Sequence, residues 1–198
     1  MIVMPSNNTG STVKSLFKKY PDKIALLISP EGFRPHRFKY TYAIDNGAFK
    51  RFDENKFFKM LDYVKAEKPP IFVACPDVVG CHSRTLALWR YYYPRLKRYN
   101  YPIAFVAQDG CTPELIPQEC DWIFVGGLDP WKMDNVKNFV GKDKPVHVGR
   151  VNSMNRLRYC ESIGVESIDG TGWMRFRDKK FHDLMEWFSG EEKQTELF

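Results

Sequence analysis

Acidic residues close several of the apolar runs in this chain. Asp45 follows "YAI", Asp77 ends "PIFVACPD", Asp109 follows Gln108 after "IAFVA", and Asp169 ends "VESID". Taken singly, each reads as a turn or capping residue, because Asp satisfies free backbone N–H groups where a strand hands over to a helix. Taken together they suggest chemistry. If these runs are parallel strands, their carboxyl ends share one rim. Asp45, Asp77 and Asp169 would then disfavour one another's ionisation, and split pKa values separate an acid or base from a permanent anion.

The elements that must position these groups are legible as short, near-continuously apolar runs. They fall at residues 2–6, 23–30, 40–47, 70–77, 101–110, 121–127, 145–151 and 165–172. Continuous rather than alternating hydrophobicity marks strands covered on both faces, as in parallel sheets. Between most of them lie helical patterns: Val13, Leu16 and Phe17 share one face, and Phe57, Phe58, Leu61 and Val64 another. A longer pattern over 83–99 carries Pro94, expected to kink or break it. "EGFRPHRFKY" holds no good helix, and "CTPELIPQE" allows only a turn or two. Eight strands in βα alternation predict a compact (β/α)8 TIM-like barrel, a single domain over 1–190 followed by a disordered tail, 191–198. A doubly wound open sheet is the competing architecture, and in both the strands' carboxyl ends bind the ligand.

Composition narrows the function classes. The chain has 198 residues, 43% of them hydrophobic, enough for one core, and its net charge of +6 suits a polyanionic partner. Five cysteines form no CxxC and no Cys/His zinc spacing, which predicts a reducing compartment without a disulfide framework. Cys75 and Cys111 beside strand ends read as packed thiols before nucleophiles. No apolar run approaches about 18 residues, and the polar start "MIVMPSNNTG" does not read as a signal peptide. The expectation is a cytoplasmic protein with no membrane association, no metal and no cofactor.

The remaining strand ends complete a series. The sixth ends on Gly126-Gly127-Leu128 and the seventh on His147-Val148-Gly149-Arg150. In order along the chain, this series resembles the tRNA-guanine transglycosylase superfamily, TIM barrels that exchange guanine in a nucleic acid for a 7-deazaguanine. "IDNGAF" resembles that family's D-S-G-G-[FY], "CPDVVG" its D-E-C strand end, "QDG" its Q-G-[GS] and "VGGL" its G-G-L. "HVGRV" is similar to M-G-V-G, and "SIDGTGWMR" to F-D-C-x-x-P-[TS]-R. The resemblance implies that Asp169 is the nucleophile and Asp45 the second catalytic carboxylate. It makes Phe49 the ring that stacks the base and Asp77 the reader of guanine's N1–H and amino edge. Gly126, Gly127 and Leu128 would meet the O6 side, or form a tight turn. Gln108, or Asp109 in its place, would fill the family's Gln position, with His147 and Gly149 lining the substrate.

The family's Cys/His zinc element is missing from the sequence, and the chain is short. Both features look more like the deazapurine DNA-modifying branch of phages and bacteria, which makes DNA, before tRNA, the expected partner. Retentive base exchange suits the acids independently, since a carboxylate can attack and leave again while a second acid protonates the departing purine. Arg150, Arg175, Arg177, Lys50 and Arg51 follow strand ends and are the expected phosphate contacts. The basic, aromatic stretch over 83–101 suits phosphate contact and stacking, or simply a solvated helix face. The final "QTELF" is similar to the short peptides that dock on bacterial sliding clamps, through Gln194, Leu197 and Phe198, or it is a plain polar tail. The rival readings are the same exchange on tRNA, an N-glycosidase that lets water resolve the intermediate, and a non-catalytic nucleic-acid-binding barrel.

Overall fold

The computed structural model describes residues 1–170, 172 and 179–190. Arg175, Arg177 and the clamp-like Gln194, Leu197 and Phe198 lie outside them. The strands are β1 (Ile2–Pro5), β2 (Leu26–Ile28), β3 (Tyr42–Ile44), β4 (Val73–Ala74), β5 (Ile103–Ala107), β6 (Trp122–Val125), β7 (Val146–Val148) and β8 (Ser167–Gly170). All pair in parallel, in the order β1-β8-β7-β6-β5-β4-β3-β2. The two ends of that list meet through single bridges, Val3–Ile24 and Ser6–Leu27, so the sheet curls into a barrel with a thin seam between β1 and β2.

The helices are α1 (Ser11–Lys19), α2 (Glu54–Val64), α3 (His82–Leu96), α4 (Asp129–Asn135), α5 (Met154–Ser162) and α6 (Lys179–Ser189). None follows β2 or β5 before the next strand. Short 3-10 turns at Pro30–Gly32, Pro35–Arg37 and Pro113–Leu115 take their place. Proline and glycine in those connections leave too few consecutive helix formers to nucleate a helix. Pro94 neither ends nor breaks α3, which runs on to Leu96 and tightens into a 3-10 turn over Lys97–Tyr99. It falls in the last turn, so few helical residues remain beyond it to lose. Among the described residues no helix is long and apolar enough to cross a membrane.

Two cores follow from strand alternation. Outward-facing strand residues such as Ile44, Val73, Phe105, Val125 and Ile168 pack under the helices. The other set fills the barrel: Met4, Ala25, Leu27, Ala43, Phe72, Ala74, Ala104, Val106 and Phe124. Small alanines at positions 25, 43, 74 and 104, on or beside β2 to β5, make room for the rings of Phe72 and Phe124. Continuing the inward parity up each strand leads from Val106 to Gln108, from Phe124 to Gly126, from His147 to Gly149 and from Ser167 to Asp169.

Candidate active site

Asp45 caps no helix. The N-terminus of α2 is capped by Asp53, whose carboxylate accepts from the Lys56 N–H at 3.0 Å. The turn after β3 is closed instead by Asn46, whose Oδ1 accepts from the Ala48 N–H at 2.7 Å. Asp45 therefore sits at the rim with only its own turn's N–H groups to stabilise it. Burial pushes its carboxyl up to about 7, and the nearby charges of Asp169 and Asp77 push the same way, against the Gly47 and Asn46 N–H groups. The three strand-end acids converge: Asp45, just after β3, feels the charges of Asp77, after β4, and Asp169, on β8, at one mouth.

Asp77 is buried and held on both oxygens. Asn46 Nδ2 donates to Oδ1 at 2.8 Å and Gln108 Nε2 to Oδ2 at 2.6 Å. Burial raises its carboxyl to about 6 despite these two bonds. Gln108 is fully committed, since its Oε1 accepts from the N–H groups of Gly80 at 2.8 Å and Gly127 at 2.9 Å. Asp109 Oδ2 accepts from the Leu128 N–H at 2.8 Å, and the Gly126 N–H goes to the Ala107 carbonyl at 2.9 Å. The three N–H groups of Gly126, Gly127 and Leu128 thus already have protein partners. The glycines are demanded by packing. A Cβ on Gly126 would lie 2.6 Å from Gln108 Nε2, and Gly127, at φ +56°, would carry one 2.3 Å from the Trp131 ring.

The β7–β8 side is built differently. Asp169 Oδ2 receives the backbone N–H of Arg150 at 3.2 Å and lies 3.2 Å from His147 Nε2. His147 is completely buried beneath the mouth, with Nδ1 2.9 Å from Ser167 Oγ and its ring against Phe72 and Phe124. Gly149 leaves the necessary room, because a Cβ there would meet the Phe124 ring at 2.7 Å and Asp169 Oδ2 at 3.4 Å. Behind it, fully buried Lys132 donates to the Gly149 carbonyl at 2.7 Å and pairs with Asp129 at 3.0 Å. Arg156 also holds Asp129, at 2.6 Å, and these partners draw the Asp129 carboxyl down to about 2.

At the outer rim, Arg150 takes a left-handed backbone, φ +57°, that turns its N–H toward Asp169. Its guanidinium donates to the Gly127 carbonyl at 2.7 Å and lies 4.4 Å over the Phe49 ring. Phe49 is 63% exposed and Leu128 51%, so apolar surface lines the opening. Lys50 is paired with Glu31 at 2.9 Å, while exposed Arg51 lines a groove of about 520 Å³ with Asn46, Gly47, Phe52 and Lys56.

No protein-family model matches the chain, and no curated protein matches it either. The site must be read from its own geometry. Asn46, Ser167 and Lys132 are site residues that motif reading does not single out. Ser167 carried a signal, two positions before Asp169 on the same strand. Cys75 and Cys111 are buried thiols whose ionisation burial opposes, Cys111 being pushed up to about 12, which removes them as nucleophiles. Among the described residues no group of three His, Cys, Asp or Glu is arranged to hold a metal ion.

Proposed function

We propose that the chain is a DNA-guanine transglycosylase that exchanges guanine in DNA for a 7-deazaguanine base by double displacement. The observation that carries the reading is the convergence of Asp45, Asp77 and Asp169, with Asp45 raised to about 7 by burial and by the other two charges. A carboxyl poised near neutrality is an acid in one half-reaction and a base in the other.

A target nucleotide leaves the duplex stack to reach the mouth. Asp169 attacks C1′, the C1′–N9 bond breaks, and its electron pair leaves with guanine, which takes the proton of Asp45. The sugar remains esterified to Asp169. The incoming 7-deazaguanine then gives its N9 proton to Asp45, its N9 attacks C1′ from the vacated face, and the Asp169 carboxylate is released. Two inversions give net retention. Asp77 reads the N1–H and amino donors of the base with the lone pairs that Asn46 and Gln108 leave over. Phe49 stacks the base, which takes the position that the Arg150 guanidinium holds in the free protein. The freed Arg150 turns to a phosphate, with Lys50 and Arg51 beside it.

Expressing the gene and analysing host DNA by nucleoside mass spectrometry tests this directly. In vitro, labelled guanine should enter oligodeoxynucleotides, and denaturation during turnover should trap DNA on Asp169. Label entering tRNA alone would transfer the chemistry to RNA. Free guanine with abasic sites and no insertion would make the protein an N-glycosidase. DNA binding with neither product would make it a non-catalytic barrel.

A further inference from the structure

Ser167, His147 and Asp169 form a buried line inside the barrel, and the transglycosylase reading uses only its last member. Ser167 and His147 are fully enclosed and Asp169 nearly so, and strand parity aims all three inward from β7 and β8. Ser167 Oγ lies 2.9 Å from His147 Nδ1, and His147 Nε2 lies 3.2 Å from Asp169 Oδ2. The Phe72 and Phe124 rings wedge the imidazole at 5.2 and 4.4 Å between centroids, so it cannot turn over without disturbing the aromatic floor.

Donor order in this line follows from the bond Asp169 Oδ2 already makes, since it accepts the Arg150 N–H at 3.2 Å and so serves as an acceptor. A carboxylate oxygen has only lone pairs to offer, so Nε2 must carry the proton between them. In a neutral imidazole one ring nitrogen donates and the other accepts, so with the proton on Nε2 it is Nδ1 that accepts. The Ser167 hydroxyl, 2.9 Å away, has a proton to give it. We infer that His147 is a positioning residue for the nucleophile: Ser167 O–H donates to Nδ1, Nε2–H donates to Asp169 Oδ2, and together with the Arg150 N–H this pins Oδ2 and presents Oδ1 as the attacking oxygen. The role rests on the transglycosylase reading, but the donor order does not. The same arrangement stabilises the carboxylate each time it is released from the sugar, because two fixed donors receive its returning charge.

Long-range 1H–15N spectra of the intact protein read the tautomer directly, with the His147 signals assigned by their loss in His147→Gln. The expected result is a neutral ring protonated at Nε2. A ring protonated at Nδ1 only, or at both nitrogens, would overturn the donor order. Kinetically, His147→Leu should lower kcat for base exchange about 100-fold with KM within about twofold. His147→Gln, whose amide N–H2 can still reach Oδ2, should recover most of that loss. Ser167→Ala, nearly isosteric and therefore folded, should lower kcat about tenfold and populate the Nδ1–H tautomer. A Ser167→Ala protein with wild-type kcat and an unchanged tautomer would sink the inference even if the His147 variants failed to fold. An Nε2–H ring in a wild-type protein that exchanges no base would overturn the transglycosylase reading and the attacking-oxygen role with it, while the donor order stood.

Discussion

The two sides of the barrel mouth hold their acids in opposite ways. On the β3–β5 side, Asp45 and Asp77 are met by amides, turn N–H groups and each other, and burial lifts both carboxyls, to about 7 and about 6. On the β7–β8 side, Asp169 meets a backbone N–H and an imidazole, and the turn that supplies the N–H is anchored by buried Lys132. The first environment lifts its carboxyls toward neutrality, Asp45 furthest, while the second sets a backbone N–H and a ring nitrogen against one oxygen of its acid. In the proposed exchange, one fold thus supplies acid and nucleophile from the same side-chain type.

The comparison breaks most severely at the anion. Asp169→Asn should remove base exchange by at least about 10³-fold, since an amide cannot carry the sugar and leave again. Circular dichroism should remain native, and retention of more than a few per cent of wild-type activity would displace Asp169 from the nucleophile role.

At the proton carrier, Asp45→Asn should cost about 10²–10³-fold in base expulsion. The same change should raise stability at high pH, and the sign is fixed by the direction of the shift. A folded pKa above the unfolded one means that the native state binds more protons between about pH 4 and 7. Wild-type stability therefore falls as pH rises through that window. Asp45→Asn should flatten this fall and gain on the order of 2–4 kcal/mol by pH 8. Denaturant titrations at pH 5 and 8 that show parallel curves for the two proteins would refute the buried-acid environment.

Asp77→Ala should act on selectivity before rate. Removing a buried acceptor costs about 1–3 kcal/mol, which would appear as a loss of about 5–150-fold in preference for guanine over adenine. An unchanged preference would move base reading elsewhere. The smallest effect is expected at the rim. Arg150→Ala should change KM for DNA about tenfold, weaken its salt dependence by about one phosphate contact, and leave kcat within a few-fold. A salt slope identical to wild type would remove Arg150 from the phosphate path.

Much of this was legible in the sequence. The apolar runs mark all eight strands, the Pro- and Gly-bearing connections after β2 and β5 announce their missing helices, and the strand-end acids announce a shared rim. The parity that links Ser167 to Asp169 and His147 to Gly149 was present too, but period-2 spacing carries no message until barrel closure makes one parity the interior. Lys132 was hidden for another reason: a lysine in a short helix ordinarily reads as surface, and only the Gly149 carbonyl and Asp129 explain its burial. The Gly-Gly pair was likewise silent in the sequence, because the side chains that crowd it, Gln108 and Trp131, come from different elements.

The thin seam between β1 and β2 sets where this barrel breathes. β5 and β6 share a ladder of four residue pairs, whereas this edge rests on two bridges and a few flanking bonds, among them Val3 N–H to Lys23 at 2.9 Å and Ala25 N–H to Val3 at 3.2 Å. Fewer cooperative bonds mean a lower opening free energy, so amide hydrogens at Val3, Ala25 and Asn7 should exchange with solvent sooner than those of β5 and β6. Native-state exchange followed by mass spectrometry would show this edge opening before the β5–β6 ladder, and equal protection of the two would contradict it.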